Sequence, residues 1–242
     1  MPLMGIIQVN KPTNSQSDMP NSTDPQAEQF RRILIWGGWF RLAHWSMALS
    51  TLVLMITGFL VAESPSLAED ASEWHSIAAS VLFFGLLLRS LLMLIGKPHE
   101  QLTGLIIDAS EFKTITETGR FYMSLGKTAL PNWYAQNPLW KTVYLFVYLV
   151  LYIQVISGVL MSDNDTLFGF YLPSVHAWWA QVLVIYTGLH LAAVVLHDYR
   201  GKAADVSSMI NGYRLFPTGG IQTRGAADEN VQIVTMDLSK RD

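Results

Sequence analysis

The stretch VHAWWAQVLVIYTGLHLAAVVLH, Val175 to His197, decides how the rest of the chain reads. It contains no Asp, Glu, Lys or Arg, and a bilayer core about 30 Å thick needs about 20 such residues at the helical rise. Within it, His176 and His190 lie fourteen residues apart. That is close to four helical turns, so the two share one face at depths about 21 Å apart. A single membrane span thus presents two imidazoles on one side.

Three other stretches match it in length and character: Gly38 to Ala62, Trp74 to Gly96 and Pro138 to Met161. None alternates at period two, and backbone polar groups in hydrocarbon must be satisfied within their own segment, so each is expected to be a helix. The expected fold class is all-α, an integral membrane bundle of four transmembrane helices. Composition agrees, since half of the 242 residues are apolar and only 14% are charged. There is no cysteine, which excludes disulfides and thiolate metal sites, and a net charge of −3 gives no reason to expect nucleic acid.

Charge sets the orientation. The connection from Glu63 to Glu73 carries Glu63, Glu69, Asp70 and Glu73, and that from Ser162 to Ser174 carries Asp163 and Asp165; neither has Lys or Arg. The positive-inside bias therefore puts both termini and the long loop from Lys97 to Asn137 on the cytoplasmic side of the membrane. Trp36, Trp39, Trp45, Trp133 and Trp140 then fall at the inner boundary, and Trp74, Trp178 and Trp179 at the outer one.

Residues 1–32, rich in Pro, Ser, Asn and Gln, read as a disordered cytoplasmic tail rather than an export signal, because Arg31-Arg32 precedes a span that retains Arg41 and His44. Residues 33–200 form the bundle, and residues 201–242 a cytoplasmic C-terminal tail. Between the second and third spans, Leu105, Ile106, Phe112, Ile115, Phe121, Tyr122 and Leu125 recur at roughly helical intervals, so a cytoplasmic surface helix is expected there.

Of the six histidines, four lie inside or at the mouths of spans, where an ionisable group is costly and marks function by default. His176 and His75 are both at the outer ends of their helices, and His190 and His44 are both in the inner half. Two imidazoles facing across a helix gap at matched depth, twice, is what bis-histidine haem ligation requires. Zinc would need four ligands at one depth, and a proton relay would use acidic residues within the spans; neither set is present. With no cysteine, haem b would be held by ligation and packing alone. His197, at the cytoplasmic end of the same helix, is expected to reach the surface or to interact with the helix C-terminus, and His99 is expected in a solvated turn.

The chain resembles the bacterial di-haem cytochrome b family that supplies membrane subunits of nickel–iron hydrogenases and, more distantly, the gamma subunit of formate dehydrogenase. The resemblance runs from about Trp36 to Phe216. It is carried by Arg41-Leu42-Ala43-His44-Trp45 with Ile56-Thr57-Gly58, by His75 with Arg89, and by Asn137-Pro138-Leu139. His176, thirteen residues and His190 continue it, and Met209-Ile210-Asn211-Gly212-Tyr213-Arg214 closes it. It implies that His44 and His190 ligate an inner haem and His75 and His176 an outer one, giving two haem b per chain. It also implies a quinone site beside the inner haem, where Asn137 matches an asparagine of the formate dehydrogenase branch. Asn137 followed by Pro138 is equally a good helix start, and both readings stand.

Gly58 and Gly158 follow Thr57 and Ser157 in a faint internal echo. Their missing side chains would admit the outer haem or a close helix contact. Arg41 and Arg89 could pair with haem propionates or, as the plainer alternative, snorkel to the inner surface.

The expected function is an electron-transfer subunit of an oxidoreductase complex. It would carry electrons between a periplasmic redox protein, a hydrogenase-like enzyme or a cytochrome, and the quinone pool. The alternatives are a stand-alone haem oxidoreductase acting on a small redox substrate at the outer edge, and a proton-coupled transporter.

Overall fold

A computed structural model describes residues 27–131, 133–200, 205–217 and 231–237. It divides into two compact units, residues 38–201 and the combined segments 1–37 and 202–242.

The larger unit is built on four long helices: α1 (Gly38–Glu63), α2 (Ala68–Ile95), α4 (Pro138–Leu160) and α5 (Leu172–Arg200). Each is long and apolar enough to cross a membrane. α2 begins six residues before the expected Trp74 because Glu69 and Asp70, read as part of the connection, form its first turn. Carboxylates there complement the positive end of the helix dipole. The helices meet around Met47, Leu82, Leu86, Val147, Val150, Leu151 and Leu183, with every long helix contributing. Outward, Leu49, Ile56, Phe59, Phe84, Leu94, Ile185 and Val195 are all more than half exposed. So much large aliphatic surface on all sides is suited to lipid and not to water.

α1 and α2 form a close hairpin. A Cβ at Gly85 would lie 3.0 Å from Met47 Cγ and 3.1 Å from Ser46 Oγ, so only glycine lets the two backbones approach this far. α4 and α5 are joined by a small hairpin, β2 (Thr166–Leu167) and β3 (Phe170–Tyr171), whose turn residues Phe168 and Gly169 have φ of 49° and 83°. Two positive φ angles mark the tight turn that matches strand twist.

Between α2 and α4, two short 3-10 turns, Leu102–Leu105 and Ala109–Glu111, lead into α3 (Phe112–Met123). An Asp108–Glu111 capping box starts this segment. The turn that leads into α3 docks on the bundle through a polar contact: Lys141 of α4 bonds both carboxylate oxygens of Glu111 at 2.7 and 2.9 Å.

The smaller unit has a three-stranded antiparallel sheet in the order β4 (Tyr213–Pro217), β1 (Ala27–Leu34), β5 (Val231–Asp237), and a short helix α6 (Asp205–Asn211). Ile35 and Trp36 both donate backbone N–H groups to Gly212 O, at 2.9 and 3.0 Å. The Arg32 guanidinium lies 4.1 Å from the centre of the Tyr213 ring. Residues 27–32 and parts of 201–242, assigned above to tails, are thus paired strands; strand partners about 200 residues away leave no local sequence signal. The tail assignments for residues 1–26, 201–204, 218–230 and 238–242 lie outside the described residues.

Candidate functional site

His44 lies in the second turn of α1 and His190 two thirds of the way along α5; their ring centroids are 6.5 Å apart with planes at 59°. His75, two turns into α2, and His176, in the second turn of α5, face each other at 6.3 Å and 61°. Two imidazoles bound to one metal at about 2 Å per bond, from opposite sides, hold their ring centres about 6 to 6.5 Å apart. Both pairs have this spacing. Among the described residues no group of three or more His, Cys, Asp or Glu is placed to hold a metal ion. Two protein ligands per site suit an iron whose other four positions are filled by a porphyrin, so the residues present fit haem at both depths.

The surroundings of the pairs differ. At the His75–His176 pair, His75 Nδ1 is 2.9 Å from Thr57 Oγ1 and His176 Nδ1 is 2.8 Å from Ser157 Oγ. Gln154 Nε2 donates to the His176 carbonyl at 3.1 Å. A Cβ at Gly58 would lie 3.4 Å from His75 Cε1, and one at Gly158 would lie 3.5 Å from His176 Cε1. Both glycines therefore face the imidazoles. At the His44–His190 pair, Tyr186, one turn before His190, stacks on it at 5.7 Å and 22°, and Trp45 stands edge-on to His44.

Arg89 is 2% exposed. Its Nε donates to Tyr148 OH at 3.0 Å and Nη1 to Glu100 O at 2.9 Å, with the guanidinium over the Phe40 ring, one turn before His44. The ion pairs recorded among the described residues, Lys113–Glu117 and Lys141–Glu111, do not include it. Snorkelling is excluded for Arg89, because neighbouring helices enclose it. Arg41 is half-buried in the first turn of α1.

Asn137 is the N-cap of α4: its Oδ1 accepts from Leu139 N at 3.0 Å, and Pro138 takes the first helical position. Its Nδ2 is buried without a hydrogen-bond partner, as is Gln136 Oε1 beside it. A cavity of about 410 Å³ adjoins this corner, lined by residues that include His99, Glu111, Trp133, Tyr134, Gln136 and Lys141.

His197 corrects the expectation that it reaches the surface. It is buried, and its Nε2 lies 2.8 Å from Tyr122 OH, which in turn accepts from Trp140 Nε1 at 2.6 Å. Tyr122 stacks on the His197 ring at 5.5 Å and 18°. α3 supplies the partner that a single helix could not reveal. Sequence reasoning also missed the hydroxyls of Thr57 and Ser157, having weighed only the glycines that follow them.

Residues 35–212 match the family model described as prokaryotic cytochrome b561. Three similar proteins each bear the name probable Ni/Fe-hydrogenase B-type cytochrome subunit. The Bradyrhizobium diazoefficiens protein is 30% identical over 73% of this chain and 83% of its own length. The Cupriavidus necator and Azotobacter vinelandii proteins are each 26% identical over 73% of this chain, and 84% and 85% of their own lengths. No solved structure matches the chain significantly. Four apolar spans and this match together identify the chain as a member of the prokaryotic cytochrome b561 family, a multi-pass membrane protein that carries haem b and transfers electrons.

Proposed function

We propose that His44 with His190, and His75 with His176, hold two haem b groups, and that the chain links a periplasmic redox enzyme to the quinone pool across a bacterial inner membrane. The observation that carries this reading is the pair of matched separations, 6.5 and 6.3 Å, on helices that the charge bias orients in common. When bound, haems held by the two histidine pairs would supply one-electron centres at two depths.

The chain's own residues do the rest. The acidic connections Glu63–Glu73 and Ser162–Ser174 face the periplasm, and both termini and α3 face the cytoplasm. Arg89, a buried cation with no carboxylate bonded to it, is a partner for an inner propionate, and Arg41 on the same side is a second. Gly58 and Gly158 line the outer site. The quinone headgroup lies at the start of α4, where the buried Asn137 Nδ2 and Gln136 Oε1 offer a donor and an acceptor beside the cavity. The names of the similar proteins make a nickel–iron hydrogenase the first partner to test.

The test is stoichiometry. Protein purified in mild detergent should contain about two haems per chain, both removed by acid acetone because no cysteine can attach them. One haem per chain, or a residue of covalent haem, overturns the assignment.

A further inference from the structure

We propose that Thr57 and Ser157 are positioning residues for the outer site, each holding the proton of its neighbouring histidine on Nδ1 so that Nε2 keeps the lone pair that binds iron. This rests on the ligand assignment above and extends it to how the ligands are prepared.

A hydroxyl has one proton to give. Thr57 Oγ1 lies 2.8 Å from Val53 O, one turn back on α1, and donates there. Leu54 O, at 3.3 Å, is a second carbonyl that can only accept. With the hydroxyl proton turned to these carbonyls, Thr57 Oγ1 accepts from His75 Nδ1 at 2.9 Å, and the imidazole carries its proton on Nδ1. Ser157 repeats the arrangement: Oγ is 3.2 Å from Gln154 O and 2.8 Å from His176 Nδ1. Both hydroxyl residues are buried, at 7% and 4% exposure, so water does not compete for these bonds.

Bonding of a hydroxyl to a carbonyl one turn back is common in these spans and occurs at Ser46, Ser50, Ser76, Ser80 and Ser90. Of the back-bonded Ser and Thr hydroxyls among the described residues, only those of Thr57 and Ser157 also bond a histidine ring. The glycine after each leaves room for that ring. The outer site is therefore built from one device used twice, a hydroxyl–glycine pair on the odd-numbered span and a histidine near the start of the next helix. No side-chain hydrogen bond reaches His44 or His190 among the described residues. A ligand imidazole that donates from Nδ1 is a stronger base at Nε2 and favours the oxidised metal. The two hydroxyls therefore lower the reduction potential of the outer haem and set the rotation of its ligands, and do neither at the inner haem.

The experiment is a redox titration followed by haem absorption, with low-temperature paramagnetic resonance of the oxidised protein. Thr57→Val and Ser157→Ala should each raise the midpoint of one haem and shift its low-spin signal, leaving the other haem unchanged. Thr57→Ser should restore both readouts, and Ser50→Ala, a back-bonded serine that touches no histidine, should change neither. If Thr57→Val instead loses a haem, the proposal stands only where Thr57→Ser retains it; loss in both overturns it. Unchanged midpoints and signals in fully loaded Thr57→Val and Ser157→Ala protein also overturn it. His75→Ala separates the two levels: if it keeps both haems the ligand assignment itself fails, whereas loss of one haem alongside unchanged hydroxyl variants sinks only the inference drawn here.

Discussion

Arg89 donates to the Tyr148 hydroxyl at 3.0 Å from inside the bundle, with its charge facing two aromatic rings and bonded to no carboxylate. Burying a cation is costly unless its donors are used, and here they bridge α2 to α4 and to the Glu100 carbonyl. Arg89→Gln should cost about 1–3 kcal/mol by stranding these buried acceptors, read as a lower melting temperature in detergent. If an inner propionate also uses the guanidinium, the midpoint of the inner haem should fall in the same variant. A fall in melting temperature with both midpoints unchanged would assign Arg89 to packing alone.

The histidine pairing predicts a pattern of losses. His75→Ala and His176→Ala should remove the same haem, and the double variant no more than either single one, if the two rings facing each other at 6.3 Å hold one iron as proposed. His44→Ala and His190→Ala should behave likewise. His44→Ala combined with His75→Ala should leave none. Haem content by pyridine haemochrome separates these cases, and different haems lost from His75 and His176 variants would break the pairing.

Asn137 has a visible structural role and a proposed functional one. Removing the cap in Asn137→Ala should cost about 1 kcal/mol of stability. Asn137→Asp keeps an oxygen that caps Leu139 but loses the buried Nδ2 donor. Quinone-linked turnover should fall in both variants while the haem spectrum stays intact. Normal turnover in Asn137→Asp would leave the residue a cap only.

Tyr122 links three elements through one hydroxyl. Tyr122→Phe should strand Trp140 Nε1 and His197 Nε2, destabilising the packing of α3 by about 1–3 kcal/mol without changing haem content. Limited proteolysis between residues 102 and 131 should become faster. His197→Ala should likewise keep both haems, and loss of one would move the inner ligand from His190 to His197.

The four spans and the matched depths of His44 with His190 and His75 with His176 were legible in the sequence by itself. Hydropathy and helical rise are local quantities that count along one chain, so length, depth and the charge of the connections can be read without a neighbour. Rotation about each helix axis is not local, because it is set by which side chains interlock, as where Gly85 admits Met47. Only the tertiary structure therefore brought Thr57 to His75 and Ser157 to His176, enclosed Arg89, and covered His197 with Tyr122. The same holds for β1, whose strand character comes from pairing with β4 and β5 at the far end of the chain, a partnership that no local window of sequence contains.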